Sequence, residues 1–379
     1  MRPTARWCAA VAATAAAALA AGCSPDRTPA ASAGTSVTVN PVGCGRGWAK
    51  PHAGAQTFRL RNTDTNSAEA YLMDAQGRVH AEVEGIGPGT TRPMRVTLGA
   101  GSYHFRCLPD DGSAVNGPVV KVSGGGTGGP AALPVTEHDL IPPTIAYQKW
   151  IGARTGDLVT KTAALKADID GGDLAAAKRD WLAGHLLYER MGAAYGTFGD
   201  ADAKINGTAA GLKGGARDPG FTGFHRIEAG LWGGAPAGSL RAPAARLASD
   251  AAALRKGWAQ ARMDPLDLGL RAHEIVENTV QFELTGRTDY GSHSNLATAE
   301  ANLQGTRVAL DFLKPVLADR DPGLAATYTR LAATERLLHG RADVDALTQP
   351  QRERVDAAFG DLVERLADVA ALCDPRRTV

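Results

Sequence analysis

A glycine-rich break divides this chain into two stretches with different hydrophobic periods. Residues 123 to 130 read Ser-Gly-Gly-Gly-Thr-Gly-Gly-Pro, a composition that cannot pack a core and serves as a flexible linker. Before it, over residues 36–122, apolar and polar residues alternate in short runs. Val37-Thr38-Val39, Thr57 to Arg61, Met94 to Leu98, Tyr103 to Cys107 and Val119 to Val122 are the clearest. Turn signals separate them, among them Ile86-Gly87-Pro88-Gly89, Gly99-Ala100-Gly101 and Asp110-Asp111-Gly112. Short strands between such turns predict an all-β sandwich. After the break, apolar residues recur three and four apart, and Leu296, Leu303 and Leu310 recur every seven. That period predicts helices over about 144–168, 173–197, 222–232, 242–261, 265–285, 322–339 and 350–372, besides the one carrying those leucines. Many helices with short connections predict an all-α bundle. The chain therefore reads as multidomain: a β-domain at 36–122, a linker at 123–133 and a helical domain at 134–379.

The N-terminus carries an address. Arg2 and Arg6 precede an Ala/Val/Leu run from Cys8 to Ala21, too short to span a bilayer comfortably, so residues 1–22 read as an export signal. The run ends at Leu19-Ala20-Ala21-Gly22-Cys23, which resembles a bacterial lipobox with Ala20 where leucine is usual. Cys23 is the expected lipidation site, giving an extracytoplasmic protein anchored to the cell membrane; cleavage without lipidation would give a secreted one. Residues 23–35 form a Ser/Thr/Ala/Pro-rich tether. A formal charge of +1 over 379 residues excludes a strongly basic nucleic-acid footprint.

Three histidine–carboxylate pairs fall at helical spacing. His185 and Glu189 are four apart, His225 and Glu228 three apart, and His273 and Glu277 four apart. Such pairs share a helix face. On a surface they are modest ion pairs; facing inward from several helices, they are how bundles assemble metal sites. The H-x-x-E box of residues 223–228, Gly-Phe-His-Arg-Ile-Glu, follows a Pro/Gly break and a loop over 198–221 that is placed to cover or complete a site. Zinc-peptidase chemistry needs H-E-x-x-H or its inverse, and neither is complete: Glu277 stands where a second histidine would be, and Ala229 follows Glu228. In the β-domain, Cys44, His52, Glu69, Met73, His104 and Cys107 offer soft and imidazole donors. A Cys44–Cys107 disulfide is the preferred reading there, permitted outside the cytoplasm. The alternative is a metal site. Cys373 is left without a partner.

The runs Tyr188-Glu189-Arg190, Phe198-Gly199-Asp200, Phe221 to Glu228 with Leu231-Trp232, Leu284-Thr285-Gly286, Ser292 to Leu296 and Ala301 to Gly305 resemble the EfeO family. These are the imelysin-like (M75 peptidase-like) lipoproteins of EfeUOB iron-uptake systems. Val42-Gly43-Cys44, Ile86 to Gly89 and Tyr103 to Cys107 are similar to that family's cupredoxin-like domain. The resemblance implies a cupredoxin-like β-domain followed by an imelysin-like bundle with H-x-x-E facing a cleft. It implies extracytoplasmic binding of ferric or ferrous iron, with zinc or copper as alternatives. Its implied partners are a membrane iron permease and a haem peroxidase; the incomplete zinc-peptidase motifs set the expectation of no catalysis.

Carried onto this chain, the implied metal ligands are His225, Glu228 and Glu189, with His273, Glu274 and Glu277 as compensating donors. Three positions depart from the family's acidic pattern: Gly192, Asn206 and the pair Arg287-Thr288. Fewer carboxylates means a weaker or different site for a hard ion. The rival expectations are an imelysin-type metallopeptidase and a module that binds an acidic polysaccharide.

Overall fold

The computed structural model describes residues 34–341 and 343–377. The expected export signal, Cys23 and nearly all of the tether lie outside them. The described chain begins with β1 (Thr35–Val39), β2 (Gly54–Asn62), β3 (Ala68–Asp74) and β4 (Val79–Ile86). It continues with β5 (Thr91–Leu98), β6 (Gly101–Pro109), β7 (Val115–Asn116) and β8 (Val120–Val122).

These strands form two sheets. One runs β1-β2-β5; the other runs β4-β3-β6-β7, with β8 also on β6. β1 lies parallel to β2, and the remaining pairs are antiparallel. Phe58, Leu60, Met94 and Leu98 from the first sheet and Ala70, Leu72 and Phe105 from the second share one core. The pairing does not close the sheets into a barrel. Cys44 and Cys107 are joined by a disulfide, with Cα atoms 5.8 Å apart, which ties the loop after β1 to β6.

β3 and β4 are absent from the sequence expectation, and burial explains why for β3. It is a central strand with both neighbours paired, and its outer-face Tyr71 is covered by Val79 and Leu108. A strand buried on both faces loses the alternation that marks a half-exposed one.

The helical half contains α1 (Glu137–Gly171), α2 (Leu174–Glu189), α3 (Tyr195–Phe198), α4 (Asp200–Asn206) and α5 (Gly223–Trp232). Then come α6 (Ala237–Trp258), α7 (Asp267–Asn278), α8 (Asn295–Leu317), α9 (Leu324–Leu338) and α10 (Gln349–Cys373). α1 starts seven residues earlier than its apolar pattern, at a capping box: Thr136 accepts from the Asp139 amide, and Asp139 returns the bond to Thr136 N at 2.9 Å. One contiguous core runs through the bundle, with Tyr147, Trp181, Phe224, Leu310 and Phe359 fully buried.

The two halves touch. Ala132 of the linker pairs with Val79, and Gly129 N donates to Thr97 O at 2.7 Å. At the far end of the chain, Arg376 makes two bonds to Glu82, at 2.6 and 2.9 Å, and Arg377 reaches Glu69 and Pro109 O. Cys373 is buried against Gly269 of α7, where an added Cβ would come within 2.3 Å of the cysteine's own. Burial pushes its thiol up to about 12, so it is a packing residue with an inert sulfur. Among the described residues no helix is long and apolar enough to cross a membrane.

Candidate functional site

α2 and α5 deliver two of the three histidine–carboxylate pairs to a single place, and an irregular turn after α7 adds a further glutamate. α5 begins at Gly223, whose φ is +78° and whose missing Cβ would lie 2.2 Å from Ile205 O. Only glycine fits there, and the close approach seats the start of α5 against the end of α4. His225 and Glu228 then fall one turn apart and point inward, 3% and 1% exposed. His225 Nδ1 donates to Glu228 Oε2 at 3.0 Å. The other oxygen, Oε1, accepts from Tyr290 N at 3.0 Å, Ser292 N at 3.1 Å and Ser292 Oγ at 2.5 Å. Burial opposes ionisation of Glu228, but His225 and Ser292 hold it below the ordinary carboxylate value.

α2 supplies the second pair. His185 lies stacked on Trp181, and its ring centroid is 5.2 Å from that of His225. His185 Nε2 stands 3.1 Å from Glu189 Oε1, though not aligned for a hydrogen bond. Asn206 Nδ2 donates to Glu189 Oε1 at 2.7 Å. Asn302 of α8, with its amide oriented to satisfy both neighbours, donates to Glu189 Oε2 at 2.9 Å and accepts from Thr279 Oγ1 at 3.1 Å. Burial disfavours charge on both partners. It is outweighed in each case: Glu189 is held low by His185 and Asn206, and His185 is raised by Glu189, Glu228 and Glu283.

After α7 the helix widens into a π-helical turn over Thr279–Glu283, a distortion often found at functional sites. The turn carries Glu283 inward, 8% exposed, where it accepts from Thr288 Oγ1 at 2.7 Å and Asn295 Nδ2 at 3.1 Å. Burial and the charge of Glu189 push the Glu283 carboxyl above its ordinary value. Burial does the same to Asp202, which accepts from Tyr188 Oη at 2.6 Å.

A cavity of about 490 Å³ opens beside these groups. Glu189, His225, Glu283, Asp202 and Asn206 line it, as do Arg271, Glu274 and Arg287. Glu228 is not among the lining residues; it stands behind His225. His273 and Glu277 are not brought to the cavity either: they lie 3.8 Å apart, and the Glu277 side chain is 47% exposed. Their helix turns Glu274 to the cavity instead. As the side chains stand, no group of three or more His, Cys, Asp or Glu among the described residues is arranged to hold a metal ion. The donors are paired with one another.

Glu283 carries no motif signal in the sequence, because the π-helical turn breaks the helical register that would have exposed it. The 198–221 loop does contribute, through Asp202, Asn206, Thr208 and Ala210. Gly192 also lines the cavity, and a Cβ there would lie 2.9 Å from Ile275 Cγ1, so isoleucine occupies the space a longer side chain would need.

The fold and site define a class: a β-domain joined to a helical bundle that buries imidazoles and carboxylates beside one cavity. The chain belongs to the imelysin family, Peptidase_M75, whose model matches residues 144–369. It is 27% identical to the iron uptake system component EfeO of Escherichia coli K12 over 340 residues, covering 88% of this chain and 89% of the relative. The EfeO of Shigella flexneri matches equally, and that of E. coli O6:H1 (strain CFT073) is 27% identical over 325 residues, 84% of this chain and 85% of its own length. A crystal structure from Parabacteroides distasonis ATCC 8503 overlays with a TM-score of 0.47 at 14% identity, over 63% of this chain and 96% of its own, a likeness too loose to argue from.

Proposed function

We propose that this chain is the iron-binding component of an EfeUOB-type uptake system, holding iron outside the cytoplasm for delivery to a membrane permease. The observation that carries the reading is that His225, Glu189 and Glu283 line one cavity. Buried carboxylates that penalise one another's charge form a site short of a cation. A cation relieves the conflict between Glu189 and Glu283, and hard oxygen with imidazole donors suits iron. The iron-uptake role of the EfeO relatives supports the same reading.

In this proposal His225 binds through Nε2, because Nδ1 is engaged by Glu228. Glu228 fixes the tautomer and ring orientation, as second carboxylates do behind metal-bound histidines. Glu189 and Glu283 turn from their amide and hydroxyl partners toward the ion. The proposal also covers what stands upstream: a lipid anchor at Cys23, a β-domain of cupredoxin-like type that docks to the system's partners, and a haem peroxidase as third component. The protein binds and hands over; it does not catalyse.

Titration calorimetry with ferric and ferrous iron, paired with metal analysis of protein from native envelopes, tests the reading. A His225→Ala/Glu228→Ala double variant should bind no iron, and unchanged binding would overturn the assignment. Metal-dependent proteolysis lost in Glu228→Gln would replace it with the peptidase reading.

A further inference from the structure

We propose that the cavity takes its iron as an anionic chelate of a small polycarboxylate, with Arg287 and Arg271 holding the chelator while the His225 wall holds the metal. This rests on the iron-binding reading and names its substrate class.

Charge is the first argument. The cavity that gathers Glu189, Glu283 and Asp202 is also lined by two guanidinium groups. A bare cation is repelled by arginine, so a guanidinium without a carboxylate partner disfavours a free metal ion in the pocket. Arg271 is joined to Glu274 through Nη1, but its Nε is buried without a hydrogen-bond partner. Arg287 is exposed, and among the described residues its guanidinium has no hydrogen-bond or ion-pair partner. Guanidinium groups bind carboxylates through paired, parallel hydrogen bonds. Two of them at one cavity, Arg287 free and Arg271 paired through Nη1 to Glu274, fit a ligand with more than one carboxylate.

Size and coordination agree. About 490 Å³ falls within the roughly 300–1,000 Å³ usual for small-molecule sites and is generous for an ion already touched by protein donors. The three proposed ligands, His225, Glu189 and Glu283, leave an octahedral ion with open positions. The oxygens of a hydroxycarboxylate would fill them. Asn278, Thr208 and Thr288 add neutral donors around the same space.

Calorimetry with ferric citrate and, anaerobically, with uncomplexed ferrous ion tests this on the wild type and on Arg287→Glu. The variant should weaken ferric citrate binding by about tenfold or more, the usual scale for losing a charged hydrogen-bond partner. It should bind ferrous ion more tightly, because a repelling charge has been replaced by an attracting one. Structural damage would weaken both; Arg271→Gln, which removes a positive charge and frees Glu274, should show the same opposite signs on a smaller scale. Equal shifts for both probes, or a wild type that binds ferrous ion and ignores ferric citrate, would overturn the chelate proposal and leave iron binding standing. A wild type that binds neither would remove the iron-binding reading itself.

Discussion

His225 and Glu228 form a closed unit on one turn of α5: Nδ1 donates to Oε2 at 3.0 Å, and three donors from residues 290 and 292 occupy Oε1. A carboxylate with four donors has little left for a metal. It has the geometry to keep a proton on Nδ1 and present Nε2 outward. The H-x-x-E box thus divides its labour, with the histidine facing the cavity and the glutamate facing away from it.

The first prediction follows from that division. Glu228→Gln should weaken iron binding by about 10–100-fold, the usual cost of losing such a partner. His225→Ala should bring it below detection. Calorimetry on the two single variants separates the roles, and equal losses would make Glu228 a direct ligand.

His273 and Glu277 make the converse case. They lie away from the cavity, so a His273→Ala/Glu277→Ala variant should bind iron within about twofold of wild type, well under the 1.4 kcal/mol that a tenfold change represents. A larger loss in the same titration would place them in the site.

How far the site was legible depends on which element carries each residue. His225, Glu228 and Glu189 sit on regular helices, where spacing fixes the face, and the structure places them together. His273 and Glu277 have the same spacing, but neither lines the cavity and Glu277 is exposed, and spacing alone says nothing about which way a face points. Glu283 was hidden because a π-helical turn moves it out of register. Asn206 stands out in the sequence only as a departure from an acidic pattern and Asn302 carries no signal, yet both amides donate to Glu189. In the β-domain, the half-exposed strand β5 showed its alternation, whereas β3, covered on both faces, did not.

The cysteines give a third prediction. The Cys44–Cys107 bridge closes a separation of 63 residues, and removing such a bridge typically costs about 2–4 kcal/mol. A Cys44→Ser/Cys107→Ser variant should melt its β-domain earlier in a calorimetric scan. In a chain lacking residues 1–33, the folded protein should show no thiol reactive to Ellman's reagent. Cys373 should become reactive only on denaturation.

Asp74 sets a fourth, in pH. Burial opposes its ionisation, but the amides of Arg78 and Gln76 and the side chains of His80 and Arg78 hold it below the ordinary carboxylate value. A carboxyl lowered by folding stabilises the folded state above its unfolded pKa of about 3.9, and that contribution is lost as pH falls through the lower, folded value. Thermal melts should therefore show β-domain stability dropping below about pH 4. Asp74→Asn should start lower at neutral pH and flatten that drop; an unchanged pH profile would exclude the role.

The last prediction concerns how the two halves are held. Arg376 bonds Glu82 through both its Nε and Nη2, at 2.6 and 2.9 Å, and Arg377 reaches Glu69, Asp110 and the Pro109 carbonyl. These contacts come from the end of the chain and reach back across the sequence to the β-domain, whose covalent tie to the bundle is the glycine-rich linker. Paired arginine–carboxylate contacts are specific in geometry and sensitive to charge reversal. Arg376→Glu/Arg377→Glu should release the β-domain from the bundle, raising the radius of gyration in small-angle scattering and speeding proteolysis within residues 123–130. Iron affinity should stay at the wild-type value, because every proposed ligand lies in the bundle. A scattering curve unchanged by the double charge reversal would show that packing along the linker and β-domain, rather than the arginine pair, sets the arrangement.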